Sequence, residues 1–202
     1  MTHQRRRELR ATPSKRDVTI AALLSALENA GQLKPSEFMK RGLDYFHANF
    51  TSDNNLHGAV LHALVERCLQ QNGVVPFYTE VEMQFIPVAR YDIVVFTKRL
   101  GPVNLSLKTT LRERWKQAEF EGMALRRVFR RSRVYVVNNS ESETRTRKAK
   151  MSQCEAIRDF VVCTSENFDK LVEDLKRWVP RTAPVVPLVR RGKHVSDPIG
   201  NR

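Results

Sequence analysis

The chain has 202 residues, and its 35 Lys and Arg residues outnumber its 22 Asp and Glu residues, so the formal net charge is +13 at pH 7. This length suits one domain with a real hydrophobic core, and the charge favours a polyanionic partner, either nucleic acid or an anionic membrane surface. No apolar run approaches the ~20 residues of a membrane span and no apolar secretory segment stands near the start, so we expect a cytoplasmic protein with no membrane partner.

The cysteines and histidines show no zinc-binding pattern. Cys68, Cys154 and Cys163 are odd in number and lack metal-ligand spacing, which favours reduced thiols that serve as packing residues. His57 and His62 are five residues apart, so they do not share a helix face as a zinc-binding pair four residues apart would.

Helices are predicted for the first third of the chain. Residues 1–16 form a basic arm with few apolar anchors, which is either ordered by an acidic partner or a plain disordered terminus. We predict one helix from Asp17, its N-cap, to Ala30, and a second one that opens at Pro35 and Ser36. A third helix is predicted over 53–71, capped by Asp53 or Asn54 and closed by Asn72 and Gly73.

Three strand-like segments follow, at 77–85, 90–98 and 103–108. The first alternates polar and apolar residues, whereas the second is mostly apolar, so the carboxylate of Asp92 within it needs an explanation. In the third segment Asn104, Ser106 and Lys108 share one face, and the lysine therefore emerges at the end of the strand.

The second half is predicted to alternate between helices and strands. A buried stripe predicts a long helix over 111–131, formed by Leu111, Trp115, Ala118, Gly122, Leu125 and Phe129. We then predict a strand over 132–139, a polar run over 140–148, an amphipathic helix over 149–160, a strand over 161–165 and a helix over 166–178. The order predicts an α/β fold with a mixed central sheet flanked by helices.

The chain divides into three regions by composition. Residues 1–52 hold the basic arm and the N-terminal helices, which we expect to serve an interface or DNA contacts. Residues 53–180 hold the core, and the basic, proline-containing tail over 181–202 is predicted to have little regular structure.

Two carboxylates and a lysine form the candidate catalytic site. Lys108 follows Asp92 by sixteen residues at the end of the neighbouring strand, and Glu121 follows Lys108 by thirteen residues on the next helix. Two carboxylates bind Mg²⁺ through hard oxygen ligands, and a nearby lysine can position and help deprotonate an attacking water. This set suits phosphodiester hydrolysis. Glu66 could add a metal or water contact from the preceding helix, although a solvated surface glutamate is the simpler interpretation.

This pattern resembles the PD-(D/E)XK nucleases, whose core is a helix, three strands, a helix and a strand. The residue two before the lysine is acidic in the common form of that motif, whereas here it is Ser106, and Tyr91 stands where a proline precedes the aspartate. Residues 56–138 are more similar to the type II restriction endonucleases of the EcoRII, PspGI and NgoMIV group, in which the second acid lies on the helix, at the position of Glu121. The resemblance implies a restriction-endonuclease-like core, with Mg²⁺ held by Asp92 and Glu121 beside Lys108.

A second part of the resemblance concerns base recognition. Arg112, Glu113 and Arg114 are similar to a basic-acidic-Arg triplet with which that group reads adjacent C·G pairs. Arginine can bond to guanine O6 and N7, and glutamate can accept from cytosine N4. The resemblance therefore implies an Mg²⁺-dependent endonuclease that cuts double-stranded DNA at a short palindromic site containing CC and GG. Because such a site needs two symmetric cuts, we expect a homodimer. Lys116 and Gln117 are candidate contacts to the DNA backbone, and Trp115 is assigned to the core.

Two other interpretations stay open. A structure-specific or repair nuclease of the same fold would use Asp92, Lys108 and Glu121 but read the shape of the DNA. A non-catalytic DNA-binding protein would leave Asp92 unexplained, because a carboxylate near DNA without a metal repels it. Cleavage of a plain duplex at one short sequence separates these alternatives.

Overall fold

A computed structural model describes residues 13–28, 33–51, 53–84, 86–183 and 189–199. Most of the predicted basic arm (1–12) lies outside these residues, as do 184–188 and 200–202 of the tail. The described helices are α1 Lys15–Leu27, α2 Pro35–Asn49, α3 Asn54–Gln71, α4 Arg114–Val128, α5 Glu141–Lys148 and α6 Glu166–Arg177. The described strands are β1 Phe77–Met83, β2 Ile86–Thr97, β3 Gly101–Leu107, β4 Arg133–Asn138, β5 Ile157–Val162 and β6 Val189–Val195.

The described strands form one mixed sheet of six, in the order β5-β4-β3-β2-β1-β6. β1, β2 and β3 are neighbours that pair antiparallel, whereas β4 pairs parallel to β3 and β5 pairs parallel to β4. A parallel neighbour needs a crossover connection, and α4 supplies it between β3 and β4. The predicted α/β class with a mixed sheet flanked by helices is confirmed.

Both faces of the sheet are buried, because alternate strand residues enter two hydrophobic clusters. Ile93 and Leu105 belong to the cluster that contains α1, α2, α3 and α6. Val94 and Phe96 belong to the other cluster, in which Trp115 and further side chains of α4 pack. The helices before Asp53 thus share a core with α3 and the sheet. No helix in the described part of the chain has the length and apolar character needed to cross a membrane.

The first and third helices begin at side-chain caps, and the second begins at a proline. Ser14, rather than the predicted Asp17, is the N-cap of α1, and Asp17 completes a capping box, with its backbone N–H donating to Ser14 Oγ at 3.2 Å. Pro35 opens α2 as predicted. Asp53 caps α3 by accepting from the backbone N–H of Leu56 at 2.7 Å, which also follows the prediction.

The prediction for 140–160 was wrong. The polar run forms α5, which Ser140 caps, and its acidic first turn and basic last turn complement the helix dipole. The segment predicted as an amphipathic helix, 149–160, instead contains the first four residues of β5, which continues to Val162 in the segment predicted as a strand over 161–165. The carboxylate of Glu119 in α4 accepts from the backbone N–H groups of Ala156 and Ile157 at 2.8 and 3.0 Å, and this contact aligns the segment with β4. A short apolar pattern does not by itself distinguish a helix from a strand.

The prediction of an irregular tail was also wrong, because β6 adds an antiparallel edge strand to β1. Its side chains Arg191 and Lys193 are exposed, whereas Val195 is buried. His194 stacks on Tyr78 with a centroid distance of 4.7 Å. Basic residues are common on edge strands, since they oppose pairing with another chain.

Candidate active site

Antiparallel pairing of β2 and β3 brings Asp92 beside the segment that ends at Lys108. The register pairs Ile93 with Leu105, so Asp92 lies opposite the last residues of β3. Asp92 Oδ2 accepts from the Leu107 backbone N–H at 2.7 Å and from Lys108 Nζ at 3.0 Å, and Ser106 Oγ lies 3.4 Å away. These donors stabilise the ionised carboxylate that the apolar strand would otherwise leave unpaired.

Lys108 is held in this position by both its backbone and its side chain. Its backbone N–H donates to the carbonyl of Val137 in β4 at 2.9 Å, so the residue after β3 still follows the sheet. The side chains of Lys108 and Asp92 are 10% and 22% exposed. Each charge therefore offsets part of the cost of desolvating the other, while both side chains keep some contact with solvent.

Glu121 approaches the same region from α4. It is buried at 5% exposure, and its Oε1 accepts from Gln117 Nε2 at 2.7 Å. Burial raises the pKa of Glu121, while the Gln117 hydrogen bond and Lys108 lower it and Asp92 raises it. Glu121 is therefore close enough to Asp92 and Lys108 for their charges to act on it.

Gly122 allows α4 to approach the sheet closely beside Glu121. A Cβ atom at this position would lie 2.8 Å from Ala156 Cβ and 2.9 Å from Val134 Cγ2. Tyr91 adds a further contact, because its hydroxyl donates to the backbone carbonyl of Glu121 at 3.2 Å. The aromatic residue before Asp92 therefore helps to position the helix that carries the second acid.

A cavity of about 210 Å³ opens between α3, the end of β3 and the start of α4. Its lining residues are Gly58, Leu61, His62, Asp92, Leu107, Lys108, Thr109, Arg114 and Gln117. Both members of the Asp92–Lys108 pair thus face a space that a ligand can enter.

His62 is a site residue that the sequence analysis missed. Its Nε2 lies 3.8 Å from Asp92 Oδ1. Burial lowers the pKa of His62, the Asp92 carboxylate raises it, and Lys108 lowers it again, with a net lowering. The imidazole is therefore neutral near pH 7 and meets Asp92 as a polar neighbour. Histidines paired at metal-ligand spacing leave a signal in the sequence, whereas this single histidine reaches the site only through the packing of α3.

Ser106 and Glu66 occupy different environments. Ser106 is fully buried under the Asp92 carboxylate. Glu66 does not line the cavity that contains Asp92. Burial raises the pKa of Glu66, Lys193 lowers it and Glu80 raises it, which places this side chain nearer β1 and β6.

The residues of the predicted triplet lie at the start of α4. Arg112 and Glu113 are exposed before the helix, and Arg114 is its first residue and lines the cavity. Glu113 forms an ion pair with Lys116, and that hydrogen bond lowers the pKa of Glu113. Gln117, which we predict to contact the DNA backbone, lines the cavity and donates its amide N–H to Glu121.

Two side chains of α5 hold the loop that precedes the triplet, and sequence reasoning missed both. Glu143 accepts from the Leu111 backbone N–H and from Thr110 Oγ1, the latter at 3.1 Å. Arg147 Nη2 donates to the Arg112 carbonyl at 2.7 Å, and its guanidinium lies 5.0 Å from the ring centroid of Trp115. Trp115 is buried as predicted.

Carboxylate oxygens are the donors that suit a hard divalent cation, and Asp92 and Glu121 are the two candidates. Within the described residues, no group of three or more His, Cys, Asp and Glu side chains is arranged to hold a metal. Asp92 lines the cavity whereas Glu121 does not, and Mg²⁺ is commonly held by one or two carboxylates together with water and substrate phosphates. A cation would also offset the cost of ionising the buried Glu121.

The chain was also compared with known proteins. Searches against protein-family models, curated protein sequences and solved structures gave no significant match. The geometry of this site and the charge of the chain are therefore the grounds on which a function can be proposed.

Proposed function

We propose that this protein is a Mg²⁺-dependent endonuclease of double-stranded DNA with a PD-(D/E)XK-like core, acting as a type II restriction endonuclease. The observation that carries the proposal is the Asp92–Lys108 pair at the end of β3, whose two charges also act on the pKa of the buried Glu121 in α4. The element order α3, β1, β2, β3, α4, β4 agrees with the core that the sequence resemblance implies. The net charge of +13 suits a DNA partner.

The residues have distinct roles in the proposed reaction. Asp92 and Glu121 would hold Mg²⁺, which supplies Lewis-acid polarisation of the scissile phosphate and a more acidic water. Lys108 keeps its ammonium group 3.0 Å from Asp92, at the cavity wall, where it can orient the attacking water. The Leu107 N–H and Ser106 fix the rotamer of Asp92, so the carboxylate is already in place when the substrate arrives.

Cleavage by matched variants tests this assignment. Asp92→Asn and Lys108→Ala should each reduce Mg²⁺-dependent cleavage of plasmid DNA by at least about a hundredfold while DNA binding persists. The control is Asp159→Asn, which removes the carboxylate of another Lys–Asp pair, also at 3.0 Å, between Lys148 and Asp159. This control should cut normally. Normal cleavage by Asp92→Asn would remove the proposed metal site.

Base recognition is assigned to Arg112, Glu113 and Arg114. If these residues read C·G pairs, the target contains CCGG, or CC and GG separated by a short spacer. Each bidentate contact discriminates by about 1–3 kcal/mol, so Glu113→Ala should relax the choice of cytosine at one position. Mapping the cleavage ends on a plasmid of known sequence measures this. A preferred site without consecutive C·G pairs would refute the recognition role even if cleavage occurs.

We also propose that the active form is a homodimer. A palindromic duplex site needs two symmetric cuts, which a two-fold protein supplies. α1 and α2 are candidate interface elements, although their apolar side chains Leu23, Phe38 and Phe46 are buried in the core of their own chain. Sedimentation of the DNA complex gives the stoichiometry. A monomeric complex that nicks one strand by shape would favour the repair-nuclease alternative.

A further inference from the structure

A second, larger cavity of about 440 Å³ lies where α4 ends and where β4 and β5 begin. Five arginines line it: Arg126, Arg130, Arg131, Arg133 and Arg158. We call this space the arginine cavity. From Arg114 to Arg126 the helix rises by about 18 Å, so the arginine cavity is separate from the candidate active site at the other end of α4.

The positive charge of the arginine cavity is not neutralised within the described residues. None of its five arginines forms an ion pair there with a carboxylate. Arg126 donates to the backbone carbonyl of Glu155, and Arg133 lies over the ring of Trp178 at 4.9 Å. Glu155 contributes the one carboxylate among the cavity's lining residues in this part of the chain.

The carboxylate of Glu119, near the arginine cavity, is bonded to the backbone and not to an arginine. Glu119 bonds the backbone N–H groups of residues 155–157, so its oxygens are committed to the start of β5. By contrast, Arg145, Lys176 and Arg177 on other helices each pair with a carboxylate one turn away. Guanidinium groups without carboxylate partners add to the positive charge around the cavity, and a bound anion offsets that charge.

A buried hydroxyl gives a second indication of a ligand. Ser132 lines the arginine cavity, is 1% exposed, and its Oγ has no hydrogen-bond partner among the described residues. Buried hydroxyls are usually bonded, and an exception calls for an unseen partner such as water or an ion. A phosphate oxygen is an acceptor that such a hydroxyl can bond.

We propose that the arginine cavity binds backbone phosphates of DNA outside the active site. Guanidinium groups bind phosphate oxygens in pairs of hydrogen bonds, and Arg126, Arg130, Arg131 and Arg158 are exposed, so a polyanion can reach them. The choice of DNA as the polyanion rests on the proposed function, whereas the phosphate chemistry rests on the cavity alone.

The salt dependence of DNA binding tests the site. The cavity variant is Arg130→Gln/Arg131→Gln/Arg158→Gln. The control variant is Arg145→Gln/Lys176→Gln/Arg177→Gln, which also loses three positive charges, but at positions that pair with carboxylates. Affinity for a duplex is measured in EDTA across a NaCl series. The cavity variant should lose about 2–3 units of the slope of log K against log salt, and the control should lose well under one. Equal slopes for the two variants would overturn the proposal.

A chemical probe reports on the cavity directly. Cys154 lines it and is half-buried, whereas Cys68 and Cys163 are buried. Saturating duplex should slow alkylation of Cys154 by iodoacetamide severalfold in the wild-type protein but not in the cavity variant. An unchanged rate with duplex would contradict the site, and protection by pyrophosphate alone would reassign it to small phosphates.

These readouts separate the two proposals. A protein that cuts no DNA but shows the altered salt slope and the Cys154 protection would refute the nuclease and keep the arginine cavity. If the protein cuts DNA normally, but the cavity variant keeps the wild-type salt slope and duplex does not protect Cys154, the nuclease is kept and the arginine cavity is refuted.

Discussion

Asp92 shows at the scale of one residue how a mostly apolar strand can carry a partly exposed charge. Its carboxylate accepts from the backbone N–H of Leu107 at the end of β3 and from the ammonium group of the following residue, Lys108, and Ser106 Oγ lies at 3.4 Å. These contacts come from residues fourteen to sixteen positions later in the sequence. They depend on one strand register, and a slip by one residue would turn Asp92 to the opposite face of the sheet.

Glu121 differs from Asp92, because burial leaves it with a raised pKa. The pKa of Glu121 in the folded protein is higher than its ordinary value of 4.5, so the fold is favoured by protonation of this side chain. That stabilisation is fully present below pH 4.5 and is lost as the pH rises through the pKa of the folded state. We therefore expect Glu121→Gln to raise the melting temperature by about 2–4 °C at pH 8 without divalent cations, and by less at pH 5.

The same variant should abolish cleavage, since function and stability oppose each other at this residue. Calorimetry at the two pH values measures the effect, and Glu173→Gln on the exposed side of α6 serves as the control. Mg²⁺ should stabilise the wild type more than Glu121→Gln. A Glu121→Gln protein that is less stable than the wild type at pH 8 would show that the carboxylate is well solvated or well paired.

At the scale of elements, α5 positions the start of α4. Glu143 bonds the loop at Thr110 and Leu111, and Arg147 bonds the carbonyl of Arg112. α4 itself has no side-chain cap at Glu113. The orientation of the proposed recognition residues therefore depends on a helix that follows them by about thirty positions in the sequence.

Glu143→Ala should reduce cleavage efficiency about tenfold, because a hydrogen bond to a charged group contributes about 1.5–3 kcal/mol. The matched control is Glu141→Ala, which removes an exposed carboxylate from the same helix. Steady-state cleavage and thermal melting together distinguish positioning from folding. Equal activity of both variants would mean that the loop keeps its place without α5.

The contact between α2 and α3 includes a histidine that favours the neutral state. His57 Nε2 lies 3.2 Å from Asn139 Nδ2, so an amide N–H can donate to it, and the His47 ring packs edge-on at 5.3 Å. Burial lowers the pKa of His57, and His47 lowers it further. The stability that depends on neutral His57 is therefore present above its ordinary pKa of 6.5 and is lost as the pH falls through the lower folded pKa.

The melting temperature should consequently fall between pH 7 and pH 5, and His57→Gln should reduce that fall by roughly one to two degrees. The exposed His194 provides the control, His194→Gln, which should leave the fall unchanged. Melting curves across this pH range decide the matter, and identical falls in the wild type and His57→Gln would contradict the assigned role.

At the scale of the whole molecule, β6 extends the sheet beyond β1. A chain ending at residue 183 should melt several degrees lower and aggregate faster, because the unpaired edge of β1 becomes available to other chains. Light scattering during a thermal ramp measures both effects. If the shortened chain melts and scatters like the full chain, β6 contributes nothing to the sheet.

Much of this architecture could be predicted from local patterns. The periodicity of apolar residues predicted α3, the three strands after it, α4 and α6. Each of these segments has a pattern of apolar residues that fits one kind of secondary structure. The ends of α3 are also marked, by Asp53 and Asn72. The neighbouring positions of Asp92 and Lys108 followed from the same reasoning, since consecutive strands joined by a short turn usually pair.

The sequence by itself determined the class of fold, the basic charge, and an aspartate and a lysine at neighbouring strand ends. Only the tertiary structure decided that 157–162 is a strand held by Glu119 and that the tail supplies β6. It also decided that His62, Glu143 and Arg147 converge on the candidate site. The physical reason is the range of the interactions. Periodicity and capping act within about four residues, whereas these contacts join residues that are distant in sequence and become neighbours only after the sheet and helices have packed.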